Sequence, residues 1–180
     1  MAKLIECVPN ISSADAAVVE EIANEVRNTP GAVLLDVSSD CSHNRSVITF
    51  VGDPAGAEEA AVRLAKAAAA KIDMTKHRGE HPRMGAVDVI PFIPIRETSM
   101  EECVALSRRA GERIWREAGI PVFLYEASAT APNRENLAAI RKGQFEGMPE
   151  KMLQPEWEPD FGGRKIHPTA GVVAVGARAP

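Results

Sequence analysis

Cysteine is scarce: Cys7, Cys41 and Cys103 are the only three in 180 residues, far apart and without a C-x-x-C pair. That count excludes a disulfide framework and a cysteine-rich zinc module. A reduced, cytoplasmic setting is the simplest reading. Long apolar runs are missing as well: nothing approaches the roughly 20 residues of a membrane span, and no leader-type segment precedes Lys3. Neither sign of charge is in large excess. A net charge of −4 with 26% charged residues offers no basic surface to nucleic acid or to an anionic membrane. The G-x-G-x-x-G, Walker and G-x-S-x-G spacings are absent too, so a dinucleotide fold, a P-loop and a serine-hydrolase elbow all lack support. What is present suits one domain with a sizeable core: 180 residues, 45% of them hydrophobic. No repeat or linker suggests a second domain.

Periodicity supplies the elements. Residues 3–8 (KLIECV) alternate as a first strand, stopped by Pro9-Asn10. Ser12 or Ser13 can cap a helix whose inner face is Val18, Val19, Ile22, Ala23 and Val26. Residues 32–37 (AVLLDV) read as a buried strand and 46–51 (SVITFV) as another, with the polar loop SSDCSHNR between them. Asp53-Pro54 opens an alanine-rich helix to about Ala70. In residues 85–95 (GAVDVIPFIPI), Pro91 and Pro94 mark an edge or interrupted strand. Ser99 and Glu102 form a capping box for a helix carrying Cys103, Leu106, Ala110, Ile114 and Ala118 on one side. IPVFLYEA is a further strand, a short helix is expected near residues 133–141, and residues 171–177 can form a last strand. Between them, residues 142–170 show no periodicity, a length that marks a functional or disordered segment. The order β-α-β-β-α-β matches the ferredoxin-like arrangement. The expected fold is therefore α+β: a ferredoxin-like core, a mixed sheet with helices on one face, and a C-terminal extension.

Ionisable groups crowd the stretch TKHRGEHPRMGAVDV, residues 75–89. The four histidines, His43, His77, His81 and His167, all fall in predicted loops. Each can be a solvated surface residue or a functional one. His81 is distinguished by Pro82 after it and by the strand that follows, which hold it on a rigid edge suited to acid–base work. HRGEH, residues 77–81, fits the H-x-x-E-H zinc pattern. That pattern requires a helix, and Gly79 and Pro82 oppose one. Lys76, Arg78 and Arg83 form either a solvated basic loop or a grip for carboxylates. Asp40, His43, Asn44 and Arg45 make either a tight turn or a polar cluster that orients a histidine.

Beyond these residues, GEHPRMGAVDVIPFIP (79–94) strongly resembles the signature of the formiminotransferase family, in its N-terminal subdomain. Further blocks agree in order: ECVPNIS at Glu6, LLD at Leu34, NRSVITFVG at Asn44, IDM at Ile72, PVFLYEAS at Pro121, MPEKM at Met148, EWEPDFG at Glu156 and AVGAR at Ala174. The resemblance runs from residue 6 to 178.

What the resemblance implies is specific. The family moves a formimino group from N-formimino-L-glutamate to tetrahydrofolate, a co-substrate, giving 5-formimino-tetrahydrofolate and glutamate in histidine breakdown, with no metal. His81 matches the family's catalytic residue. Gly162, Gly163, Arg164, Lys165, Ile166, His167, Pro168, Thr169, Ala170 and Gly171 match its folate-binding loop. Some members carry an aspartate where this chain has Ser38, which leaves Asp40 or Asp36 to face the cationic amidine. Asn44, Arg45, Lys76, Arg78 and Arg83 are then expected to contact substrate carboxylates. Family enzymes continue into a second, similar lobe with folate between the lobes. Residues 1–180 are thus expected to be a single N-terminal subdomain whose partner is a second lobe or a second copy, acting on small molecules and on neither nucleic acid nor membrane.

Overall fold

The structure, a computed structural model, describes residues 2–180. Seven strands form one mixed sheet. Strands β1 (Leu4–Cys7) and β2 (Asn10–Ile11) both lie antiparallel between β4 (Arg45–Gly52) and β5 (Val87–Arg96). They act as one strand broken at Val8-Pro9, so the proline bends the strand rather than ending it. Strand β3 (Ala32–Asp40) pairs with β4 at the outer edge. Counting β1 and β2 as one, the order second-third-first-fourth is the ferredoxin-like one. Beyond β5 come β7 (Val173–Ala177) and then β6 (Val122–Glu126), both parallel to it.

Three helices cover one face: α1 (Ala16–Arg27), α2 (Pro54–Lys71) and α3 (Met100–Ala118). Each is placed by its sequence. Ser99 accepts from the amide of Glu102 to start α3, and Asp53 accepts from that of Gly56 to start α2. The small residues Ala57, Ala60, Ala61, Ala65 and Ala68 are fully buried and let α2 lie close between its neighbours. The cap of α1 is Asp15, whose carboxylate accepts from the amide of Val18. The expected caps serve elsewhere: the Ser12 hydroxyl donates to the carbonyl of Gly85, and that of Ser13 accepts from the amide of Asp15.

The extension builds a second, smaller layer on the other face. Val122 and Leu124 join the helix-side core, while Phe123 and Tyr125 turn the opposite way with Val89, Ile140, Met148 and Met152, the alternation a pleated strand imposes. That layer is made by α4 (Leu137–Arg141) and α5 (Gln144–Lys151). It covers the sheet only toward β6 and β7. Under β3 and β4 this face stays open, and Val33 and Leu35 are 59% and 58% exposed. β3 is therefore an edge strand and not the buried one its apolar run suggested.

Strand β5 reverses the expectation drawn from its prolines, since it is central. The carbonyl of Pro91 accepts from the amide of Val8, so its nitrogen faces the break between β1 and β2, where no ladder bond is lost. Pro94 lies beyond Phe92, the last residue paired with β7. Among the described residues no helix is long and apolar enough to cross a membrane.

Candidate active site

The 75–89 stretch is a clamped loop on the open face, feeding into β5. Asp88, 3% exposed, accepts from the amide of Met84 at 2.6 Å and from Arg141. The Ser12 hydroxyl holds the carbonyl of Gly85, and the amide of Phe145 that of Arg83. At Gly85 any Cβ would lie 1.9 Å from the carbonyl oxygen of Val172, so only glycine lets residues 170–172 pass this close.

His77 is a structural member of this clamp. Its Nε2 donates to the carbonyl of Asn44 and its Nδ1 accepts from Arg83 Nε at 2.9 Å. Burial, with Arg83 beside it, holds its pKa below the ordinary histidine value, in keeping with a neutral ring. Both nitrogens are committed and residues 77–81 are not helical, so His77 has no lone pair for a zinc ion and the H-x-x-E-H geometry does not form.

His81 is different. Its Nδ1 donates to the carbonyl of Pro82 at 2.6 Å, which leaves Nε2 as a free acceptor. Partial burial lowers its pKa, helped by the charge of Arg45 and then of Arg141, against the Pro82 hydrogen bond and Asp88. At neutral pH the ring is thus an uncharged base. It stands between two hollows on the open face. One, of about 390 Å³, is lined by Ser38, Ser39, Asp40, His43, Arg45 and Val47. The other, of about 260 Å³, is lined by Arg45, Tyr125, Arg141 and Arg178 among others.

Register explains the first hollow. Asp40 pairs with Arg45 and Ser38 with Val47 across β3 and β4, so alternate residues share one face. The four-residue tip 41–44 then folds back. Asn44 takes φ +51°, which asparagine tolerates. Asp40 accepts from the amide and from Nδ1 of His43, which keeps its carboxyl below the usual range.

The five expected carboxylate contacts divide. Arg45 borders both hollows and, among the described residues, forms no ion pair. Arg83 is 8% exposed and spent internally on His77, Gln144 and Glu146. Asn44 accepts from the amide of Ala14 and donates to the carbonyl of Arg78, tying hairpin to loop. Arg78 bonds the carbonyl of His77, and exposed Lys76 sits on the 3-10 turn Met74–Lys76. Neither lines the hollows that His81 borders. Arg83 and Asn44 are thus engaged within the protein, where they hold the loop and the hairpin together. Their partners lie 63 and 30 residues away, beyond any local pattern.

The 162–171 loop divides into two halves. Residues 163–165 are exposed, with Arg164 paired to Glu158 at 3.2 Å. Residues 170–172 run against residues 84–86, the amide of Ala86 donating to the carbonyl of Ala170, while the carbonyl of Thr169 accepts from the amide of Met74. His167 Nδ1 accepts from the amides of Thr169 and Ala170 and so shapes its own turn. Neither hollow at His81 is lined by residues 162–171. Asp88, Tyr125, Arg141 and Arg178 were not singled out from sequence. Of these, Asp88 alone leaves a signal, as an acid inside the apolar run 86–93.

Glu146 gives a test of the clamp. Its hydrogen bonds from Arg83 push its pKa down to about 2 from an ordinary 4.5. A depressed carboxyl stabilises the fold above its free pKa and stops doing so as pH falls through the folded one. Glu146→Gln is expected to lower Tm at pH 7, with the gap to the parent closing between pH 4.5 and 2. Because Glu146 is 62% exposed, screening keeps that gap to about 3 °C at most. Circular-dichroism melts across this range check it, and a gap that persists at pH 2 would contradict it.

A ferredoxin-like α+β domain with an extended sheet and an imidazole base between polar hollows is the class that fold and site define. The family model for the formiminotransferase domain, N-terminal subdomain, matches residues 4–178, and the chain belongs to that family. It is 60% identical over its whole length to a glutamate formimidoyltransferase of Streptococcus pyogenes serotype M1, covering 60% of that protein. It is 49% identical to the formimidoyltransferase-cyclodeaminase of Mus musculus, with 99% of this chain and 33% of that protein covered. For a glutamate formimidoyltransferase of Thermoplasma acidophilum the identity is 48%, over 97% of this chain and 58% of that one. The chain thus spans about a third to three fifths of the curated relatives it matches.

Proposed function

We propose that this chain carries the acid–base centre for transfer of a formimino group from N-formimino-L-glutamate to tetrahydrofolate, with 5-formimino-tetrahydrofolate and glutamate as products. The observation that carries the reading is His81: a neutral imidazole fixed through Nδ1, with Nε2 free between two polar hollows. Nitrogen N5 of the folate attacks the amidine carbon and must lose a proton as the tetrahedral intermediate forms. His81 Nε2 accepts it. Asp40 lies on the side suited to the cationic amidine. Arg45 and Arg178, with Arg141 behind, suit the donor's carboxylates. None of these steps calls on a metal.

Folate is assigned to the 162–171 loop through the family resemblance. The contact of residues 170–171 with residues 85–86 joins the end of this loop to the segment that carries His81. The open face of β3 and β4 is where a second lobe, or a second copy of this chain, would close the site. The free thiols of Cys7, Cys41 and Cys103 support a reducing, cytoplasmic setting.

The test is to incubate the chain with both substrates and follow glutamate release, beside His81→Ala. Release by the parent and not by the variant supports the reading, and equal release from both would refute it. If the parent is silent, the remaining length of the streptococcal relative is added in trans. A chain that binds folate yet stays silent even then is a binding lobe and not a catalyst.

A further inference from the structure

His43 stands where a second proton carrier would be placed. Asp40 Oδ2 lies 3.0 Å from its Nδ1 and Asp40 Oδ1 accepts from its backbone amide. The ring meets that of His81 edge-on, with centroids 5.8 Å apart and planes at 75°. Both rings border the same 390 Å³ hollow. In both, Nδ1 is taken by a fixed acceptor and Nε2 is left over.

The hairpin tip that carries His43 is held in place. The Asn44 side chain bonds the amide of Ala14 and the carbonyl of Arg78, and the amide of Glu80 donates to the carbonyl of Ser42. Gly79 passes under the tip so closely that a Cβ would lie 2.3 Å from the carbonyl oxygen of His43. A solvated surface histidine needs none of this.

We infer that His43, oriented by Asp40, is a second catalytic residue of this site, protonating the departing glutamate nitrogen while His81 accepts the proton of the attacking folate nitrogen. The inference rests on the formimino-transfer reading above and deepens it. The amidine carbon gains a bond to N5 and loses its bond to the glutamate nitrogen, which keeps the electron pair and takes the Nε2 proton of His43; His43, its Nδ1–H held on Asp40, enters the step as an imidazolium and leaves it neutral. His81 Nε2 holds the proton from N5. A proton passed from His81 to His43 through a water resets the pair without another reactant.

Geometry favours two carriers. Two nitrogens on one tetrahedral carbon are about 2.4 Å apart, given C–N single bonds of about 1.45 Å. Each needs an acid or base within hydrogen-bond reach, and two rings flanking the hollow meet that need together. His81 alone could serve the two nitrogens only in turn, whereas His81 and His43 together, bordering one hollow, serve them at once.

The experiment compares two donors. One is N-formimino-glutamate. The other is the formimino derivative of 5-aminoisophthalate, whose arylamine leaves with little help from an acid. The protein is used alone or completed in trans, whichever format is active. His43→Ala is expected to lower kcat on the first donor by about 100-fold, with KM changed less than about threefold, and to come within about fivefold of the parent on the second. His81→Ala should stay about 100-fold down on both. Asp40→Asn, which keeps an acceptor and loses the charge, should fall about tenfold on the first donor. An active parent whose His43→Ala variant is equal to it, or is equally impaired on both donors, overturns this role and leaves the functional reading intact. A parent silent in both formats overturns both.

Discussion

Replacing His81 by alanine is expected to reduce kcat for glutamate release by roughly 10²- to 10⁴-fold, the usual worth of a positioned acid–base group, while leaving Tm nearly unchanged. The ring is partly exposed and its single hydrogen bond is to the adjacent Pro82, so little of the fold depends on it. The pH profile is the sharper check. Partial burial and the charge of Arg45 lower the His81 pKa, and the base works only when neutral. Activity should therefore rise with pH through a midpoint below about 6.5, the free histidine value. Arg45→Leu removes one of the lowering influences, so its acid limb should move up toward that value. A parent midpoint above 6.5, or an Arg45→Leu shift downward, would contradict the assignment.

Asp160→Ala is expected to cost about 3–5 kcal/mol of unfolding free energy, because it strands a buried cation. Asp160 and Arg134 form an ion pair at 2.9 Å with side chains 9% and 8% exposed. The carboxylate also accepts from the amide of Leu124 and the hydroxyl of Thr130. Arg134 lies over Phe123, 5.3 Å from its centroid, and donates to the carbonyls of Glu156 and Glu158. One pair thus joins β6, the 3-10 turn Pro132–Arg134 and residues 156–160. A loss of that size corresponds to a fall in Tm of about 6–20 °C. The double variant Asp160→Leu, Arg134→Met, which removes both charges, should recover much of it. Urea denaturation of the three proteins decides, and a single-variant cost below about 1 kcal/mol would mean the pair is solvated.

The ferredoxin-like core was legible because its signals are local. Alternation marks Arg45–Gly52, a 3.6-residue stripe marks α1, and Ser99 with Glu102 marks the start of α3. Where a residue's partner lies far along the chain, those signals give nothing. Pro91 argues for an edge strand until the break at Val8-Pro9 is seen beside it. The helix Gln144–Lys151 was invisible because Gly143, Gly147 and Pro149 weaken any helical pattern. Packing of Phe145 and Met148 holds it, and the Lys151 ammonium, over Trp157, ties its end to the carbonyls of Ala139, Ile140 and Lys142.

The site divides the same way. The placement of His81 before a rigid strand, and of Asp40, His43 and Arg45 together at one hairpin, follows from contiguous residues. From sequence, Arg83 and Asn44 look only like ligand grips, since a basic or amide side chain in a loop carries no mark of an internal partner. The structure supplies those partners as Glu146 and as the backbone of Ala14 and Arg78.

Strand β7 enters the sheet between β5 and β6, although residues 127–172 separate it from β6 in the chain. On the ribosome, the strands of the ferredoxin-like core are all made once residue 96 has emerged, and they can pair at once. Strand β6 follows but has no neighbour to bind, since β7, with which it pairs among the described residues, is still unmade. It must wait, with Phe123 and Tyr125 uncovered, until residues 173–177 arrive and close a long loop. Synthesis of this domain therefore has a late vulnerable interval, in which every strand of the half that carries His81 has been made and the half that backs it is still an exposed strand.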